Sequence, residues 1–306
     1  MESCLLPYRL WGFPTHDHCT CSKVRKGGSS PPVDVIQPKS SSGRRGDTTV
    51  QGGKGGPSRR STPVASKPSV DWSQYDRVII EFCCYENSLM GKRTPASKSC
   101  YILRVTEQHD QTTEEGLRWL LDEIHKIPKD LPILLWGSIP CTGGSPWTRY
   151  NLRKYPQTFP ARLRHLRAQW RKMVHNFYKV SEVICQRNGH WALEWPSKCE
   201  YWDSPFVKDF LRRQNGNVYE ATACGCAFDL RAIAGPYRGY LMSKAWHIKS
   251  TMPNLAEFLD RPCHCSPDSI HAYAEGQNTA HSGRYTPEFV NSVHKMFSTF
   301  ISNREN

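Results

Sequence analysis

From residue 77 onward the sequence alternates short apolar runs of strand length with segments of helical period, and this constrains the fold more than any other feature. RVIIEFCC (77–84) is a continuous apolar run closed by the turn-like YENS, and YILRVT (101–106) is brief and β-branched. TTEEGLRWLLDEIHK (112–126) opens with Thr and Glu and sets Leu117, Leu120, Leu121 and Ile124 on one face, which predicts a capped helix. LPILLWG (131–137) reads as a third strand. A long helix is expected over 160–187, where Leu163, Leu166, Trp170, Val174, Phe177, Val180 and Ile184 recur at helical spacing. HWALEW (190–195) is a fourth strand and SPFVKDFLRRQ (204–214) a short helix begun by Ser-Pro. VYEATAC (218–224) and LMSKAWHIKS (241–250) are late strands. Strand, helix, strand, helix in this order predicts an α/β fold, a mostly parallel sheet with helices on both faces. Ligands of such sheets sit at the carboxyl ends of the strands, so the residues just after each strand are the informative ones.

Residues 1–70 have a different character. They carry 11 Lys+Arg against 4 Asp+Glu and run through GGSSPP, SSSGRRGD and QGGKGGPSRRSTP. Such a stretch buries too little apolar surface to offset its ordering entropy, and a disordered basic tail is expected. Residues 71–306 are then one α/β domain. Arg44–Arg45 and Arg59–Arg60 suit a polyanion or a nuclear address, or a solvated linker in a larger polyprotein. His16, His18, Cys19 and Cys21 lie close enough to share a metal, with nothing folded beside them to complete a shell. No run approaches the roughly 20 apolar residues of a membrane-spanning helix. MESCLLPYRLWGF is too short and interrupted for a signal peptide. The 13 cysteines, scattered and odd in number, read as reduced thiols of an intracellular protein.

Three post-strand segments carry the chemistry: EFCCYENSLMG (81–91), GSIPCTGGSPW (137–147) and LEWP (193–196). Together and in this order they resemble the cytosine-5 DNA methyltransferases, a branch of the class I S-adenosylmethionine-dependent fold. That family has an acidic-Phe-small-Gly-x-Gly-Gly turn after its first strand. A Pro-Cys nucleophile loop and a Glu-Asn-Val triplet follow later strands. The resemblance spans roughly 77–300 and implies a Rossmann-like methyltransferase sheet. It also implies S-adenosylmethionine as cofactor and a nucleic acid, DNA before RNA, as partner. The alternative is the same fold kept as a catalytically inactive, nucleic-acid-binding module of a mobile element.

The chemistry explains the residue types. Carbon 5 of cytosine takes a methyl group only after a thiolate has added at carbon 6, with an acid at ring nitrogen 3 holding the charge that develops. The ring is unreachable inside a duplex, so the thiol must meet a flipped-out base. Cys141 follows Pro140 at the end of a strand, and Gly143–Gly144 are expected to leave its loop mobile. Arg149, Arg153 and Lys154 are expected to supply the positive field that ionises it. The other reading of Cys141 is a small buried hydrophobe. Glu194 lies among apolar neighbours, where a carboxylate is costly unless paired or used. The resemblance makes it the acid at nitrogen 3, and the alternative is an ion pair with Arg187 or Lys198.

In the first turn the resemblance assigns Glu81, Phe82, Cys83 and Asn87 to the cofactor, with Cys84, Glu86 and Asn87 where the family has glycines. Ser88 is a candidate cap for a following helix. Glu107, with Asp110, is a candidate for the ribose hydroxyls or a solvated loop. Pro140 joins the cofactor set. CGCAFDLR (224–231) stands where the family has Gln-x-Arg-x-Arg, from which only Arg231 carries over as a catalytic contact. SGRYTPEFVNSVHKMF (282–297) resembles the family's closing segment, with Pro287 at a helix start. RPCHCSPDSIHAYAEG (261–276) gathers Cys263, His264, Cys265 and His271, with His281 beyond. Cys263, Cys265 and His271 are candidate zinc ligands, but Cys-x-Cys is less usual than Cys-x-x-Cys and no metal is assigned. The same stretch is too short to be a separate target-recognition lobe. Trp136, Trp147, Trp195 and Trp202 crowd the strand ends, able to stack on a base but by default part of a core.

Overall fold

The structure is a computed structural model that describes residues 70–305. The basic stretch before them, with its two arginine pairs and the His16, His18, Cys19, Cys21 group, lies outside the described residues.

Six strands form one sheet: β1 Arg77–Phe82, β2 Cys100–Val105, β3 Ile133–Gly137, β4 His190–Pro196, β5 Tyr219–Cys224 and β6 Ala245–Ser250. Their spatial order is β2-β1-β3-β4-β6-β5. β1 pairs in parallel with β2 and β3, and β3 with β4. β6 runs antiparallel to both β4 and β5. The fold is therefore mixed α/β with a mostly parallel sheet, and one reversed strand lies within its far half.

The sheet is covered on both faces, and the period-2 alternation of each strand decides what goes where. Val78, Ile80 and Phe82, with Leu135, Trp191 and Leu193, face α1 Glu114–His125, α3 Phe159–Gln186 and α4 Pro205–Arg212. Ile79, Leu134, Trp136, Ala192 and Ile248 face α5 Leu255–Leu259 and α7 Pro287–Glu305. α1 starts where Thr113 accepts a bond from the Gly116 amide, with Glu114 and Glu115 in the first turn favouring the helix dipole. At the end of α3, Arg187 donates to the carbonyls of Ile124, Ile127 and Pro128, tying the tails of α1 and α3 together.

Four elements go beyond or differ from the sequence expectation. Trp147–Lys154 is a helix, α2, in a segment to which the sequence reading assigns no element. Two short helices, α5 and α6 Gln277–His281, fill the C-terminal third. After β1 a 3-10 turn, Leu89–Gly91, takes the place of the expected helix at Ser88, whose hydroxyl oxygen accepts from the Met90 amide.

Because β2 lies on one side of β1 and β3 on the other, the chain reverses its direction of travel between β1 and β3. In open α/β sheets this switch point leaves a crevice at the carboxyl ends of the strands, where ligands bind.

Candidate active site

A cleft of about 1280 Å³ opens at that switch point. Its walls come from the turn after β1, the ends of β2, β3 and β4, the Asp229–Ile233 segment, Lys244, and residues 279–288 leading into α7. Glu81, Cys83, Asn87, Glu107, Pro140, Cys141, Glu194 and Arg231 all line it. Phe82 does not. Its ring is fully buried on the opposite face of β1 against Phe177, and only its carbonyl, which accepts from the Ser138 amide, reaches the crevice side.

Residues from four parts of the chain build the centre of the cleft. Glu194 is buried, and the Tyr285 hydroxyl donates to its Oε2 at 2.7 Å. Since that bond uses the only phenolic proton, Tyr285 must accept from Trp136 Nε1 at 3.0 Å and from Ser138 Oγ at 2.7 Å. Burial pushes the Glu194 carboxyl up, and Lys244 and the Tyr285 bond act against it. Neither ion-pair partner suggested by the sequence is used: Arg187 is committed to carbonyls at the far end of α3, and Lys244 is the cation that faces the carboxylate.

Lys244 also faces Cys141. Burial and the Glu194 charge push the Cys141 thiol up, while Lys244 pulls it down. Lys244 itself is desolvated, which lowers its pKa, and its ammonium donates to the Ser282 carbonyl. The cations expected to ionise the thiol are elsewhere. Arg149 pairs with Glu200 at 3.0 Å, Lys154 lies over the Tyr150 and Tyr155 rings, and Arg153 is exposed on α2.

The loop carrying Cys141 is clamped rather than loose. A Cβ on Gly143 would meet the Tyr201 hydroxyl at 2.3 Å, and one on Gly144 would meet the Tyr201 ring at 2.7 Å. Tyr201 in turn stacks on Trp170 with centroids 3.9 Å apart. Arg167 Nε donates to the Gly143 carbonyl and the Glu200 amide to the Gly144 carbonyl. The two glycines therefore provide close approach, the opposite of the mobility their sequence suggests. Trp195, fully buried, locks the same loop by donating to the Ile139 carbonyl at 2.7 Å.

The opposite wall is the turn after β1. Glu81 is 2% exposed, and the Ser88 hydroxyl donates to its Oε1. Its Oε2 is buried, with no hydrogen-bond partner among the described residues. Desolvation outweighs the Ser88 bond and the nearby Arg104 charge, raising its pKa to about 6. In this turn the left-handed residue is Cys83, at φ 63°, rather than Cys84, Glu86 or Asn87, which stand where the resembling family has glycines. Cys84 is buried beside it with its thiol pushed up to about 12. Asn87 and Glu107 lie exposed on the rim, and Glu86 accepts from Gln108, joining the first two post-strand turns. Arg231 is on the other rim, with Nε donating to Asp229 and Nη1 to the Gly239 carbonyl.

Lys244 and Tyr285 were missed in the sequence. Both lie in segments read only for secondary structure or for a proline, and neither has a local motif. A second feature did have a signal: residues 147–172 hold eight Lys and Arg and no Asp or Glu, directly after the Cys141 loop. In the structure this run forms α2 and the first half of α3, with Trp147, Tyr150 and Tyr155 exposed among the charges. Of the four tryptophans noted at strand ends, Trp136 and Trp195 are core, Trp202 is half-buried and Trp147 is 45% exposed.

The Cys/His stretch is also partly gathered. Cys263, Cys265 and His271 converge with Cys226, whereas His264 is exposed and His281 lines the cleft instead. Comparison of the chain with protein-family models, with curated proteins and with solved structures finds no match.

Proposed function

We propose that this chain is an S-adenosylmethionine-dependent methyltransferase acting on carbon 5 of cytosine in DNA. The observation that carries the reading is convergence. A cysteine, a buried carboxylate and a half-buried lysine, from the ends of β3 and β4 and the entry to β6, share one switch-point cleft with an acidic turn after β1.

The residues present fit the cofactor. Glu81 offers a buried, unpartnered carboxylate oxygen, which suits an ammonium group. Glu107 is an acid at the carboxyl end of β2, the place that grips ribose hydroxyls in nucleotide-binding sheets. Cys83 and Asn87 would line the turn between them. When bound, S-adenosylmethionine supplies a methyl group carried on a sulfonium. Cys141 passes its proton to solvent, and its Sγ bonds to carbon 6 of the flipped base as the carbon 5–carbon 6 π bond opens. Glu194, whose neutral form is favoured by burial, delivers a proton to ring nitrogen 3 as the electron pair of the opened carbon 5–carbon 6 π bond shifts through carbon 5. Lys244 offsets the negative charge on the thiolate. Tyr285 holds one oxygen of Glu194 and so orients the other toward the base.

The basic, aromatic run over 147–172 supports a nucleic acid as the partner, since Lys and Arg neutralise phosphates and exposed rings stack on bases. The same run supports the second reading, an inactive nucleic-acid-binding module of a mobile element, because it does not need the cleft. The arginine pairs before residue 70 are the candidate nuclear address. No helix among the described residues is long and apolar enough to cross a membrane.

DNA bearing 5-fluorocytosine tests the reading, because the fluorine blocks release of the covalent adduct. With cofactor present, the full chain forms a denaturation-resistant complex that Cys141→Ser abolishes. Cofactor binding by calorimetry without any adduct would overturn cytosine methylation. Absence of both, with DNA affinity falling steeply between roughly 50 and 200 mM salt, would leave the inactive module.

A further inference from the structure

We infer that Cys226, Cys263, Cys265 and His271 form a closed structural site for a zinc ion, outside the cleft. The four ligand atoms, three Sγ and one imidazole nitrogen, all lie within 4.8 Å of one another. A tetrahedral zinc with Zn–S bonds of ~2.3 Å needs ligand atoms about 3.8 Å apart. The Cys263 Sγ to His271 Nε2 separation is 3.9 Å, so the shell is already close to the required size.

Three further observations separate this group from cysteines that merely pack. First, the histidine is prepared as a ligand. His271 is buried, and its Nδ1 lies 3.2 Å from the Ser269 carbonyl. Nδ1 must carry the proton to bond that oxygen, which leaves Nε2 with a free lone pair facing the sulfurs. This is the outer-shell arrangement that orients metal-binding imidazoles. Second, none of the four belongs to the apolar cluster that packs on that face of the sheet, although Cys226 and His271 are themselves buried. Cys263 and Cys265 are half-buried in a surface loop whose residues 266–270 are all exposed. An apolar role gives no reason for three thiols to gather beside so exposed a loop. Third, the local backbone explains the spacing. Burial alternates here: Cys263 and Cys265 are half-buried while His264 between them and Pro262 and Ser266 on either side are exposed, so the two thiols turn inward together. Cys226 comes from the 3-10 turn Gly225–Phe228 after β5, 37 positions earlier, and closes the fourth corner.

The donor set fixes the ion and the role. Three thiolates and one imidazole in a tetrahedral array select zinc over hard cations such as magnesium or calcium. Four protein ligands leave no open position, so the ion is structural. It would pin the 261–272 loop to the end of β5. Arg231 follows Cys226 by five residues, and the chain after His271 runs through α6 to Tyr285, so the same pin steadies two walls of the cleft.

The test uses the full chain, expressed with zinc in the medium and purified with a thiol reductant. Elemental analysis of the parent is compared with Cys265→Ser and His271→Ala, and with Cys185→Ser, an exposed cysteine elsewhere, as control. Because His16, His18, Cys19 and Cys21 offer ligands of their own, the readout is the difference between chains. The expected result is a loss of about one zinc per chain in the two cluster variants and none in the control. Should a variant fail to fold, the parent is stripped with a chelator and titrated with cobalt. Thiolate-to-cobalt charge transfer and tetrahedral d–d bands are expected, together with recovery of the lost melting temperature. Equal zinc in all chains would overturn the inference. So would a stripped parent that shows no cobalt band and no change in melting, or an intact mass showing a disulfide among these cysteines after reductive purification.

Discussion

Replacing Glu81 with Gln should stabilise the protein at neutral pH and leave its stability unchanged in mild acid. The carboxyl is 2% exposed, with one oxygen held by Ser88 and the other unpartnered. Its folded pKa is about 6 against an ordinary 4.5. The folded chain therefore keeps a proton that the unfolded chain gives up. Stability is unaffected below the unfolded value and falls as pH rises through the window from 4.5 to about 6. The accumulated loss is about 2 kcal/mol, at ~1.4 kcal/mol per pKa unit. Gln keeps the oxygen that accepts from Ser88 and cannot ionise, so it escapes this loss. Urea unfolding of parent and variant from pH 4.5 to pH 8 measures it, because every other titrating group cancels in the difference. The variant should gain about 1–2 kcal/mol over the parent across that range and hold the gain above pH 7. The same substitution should weaken S-adenosylmethionine binding by at least about tenfold, the loss expected when a charged hydrogen-bond partner becomes neutral. Parallel stability curves would refute the claim that desolvation dominates at Glu81. A stability gain with cofactor affinity untouched would keep the electrostatics and remove Glu81 from the site.

Other perturbations probe the rest of the cleft. Tyr285→Phe strips the partner from Trp136 Nε1, Ser138 Oγ and Glu194 Oε2 at once, and should cost about 1–3 kcal/mol in urea unfolding. It also removes a bond that favours the charged carboxylate, so the Glu194-dependent limb of any activity profile moves to higher pH. A cost below about 0.5 kcal/mol would mean that this network is not formed. Lys244→Met removes the cation that pulls the Cys141 thiol down, so alkylation of Cys141, followed by peptide mapping at fixed pH, should slow by roughly threefold to tenfold. Unchanged or faster alkylation contradicts the assigned geometry. Gly144→Ala drives a Cβ into the Tyr201 ring and should cost about 1–3 kcal/mol. Gly235→Ala, with nothing within 4 Å of its new Cβ but a φ of +81°, should cost only about 1 kcal/mol of backbone strain. If the two alanines are equally tolerated, the Cys141 loop is not held by Tyr201.

Much of the architecture was legible in one dimension. Buried parallel strands must be apolar on both faces, so β1, β3 and β4 stood out as continuous runs, and α1 and α3 followed from period and capping. The carboxyl ends of those strands also singled out Cys141, Glu194 and Glu81 as candidates, and the structure brings the three to one cleft. Local spacing could not reveal partners that are distant in sequence. Lys244 and Tyr285 meet Glu194 only because β6 is inserted antiparallel beside β4 and α7 returns across the sheet. The role of Gly143 and Gly144 was read as freedom because composition cannot show the Tyr201 ring pressed against them.

What the sequence determined by itself is the layered α/β order, the basic run over 147–172, and the short list of strand-end residues on which chemistry can sit. Each follows from periodicity or charge, properties of neighbours along the chain. Only the tertiary structure decided which cation faces the thiol, which hydroxyl holds the carboxylate, and that Cys226 joins Cys263, Cys265 and His271. Those pairings depend on where crossover connections deliver distant segments, and burial then sets their electrostatics, because a charge removed from water responds to whichever group the fold has placed beside it.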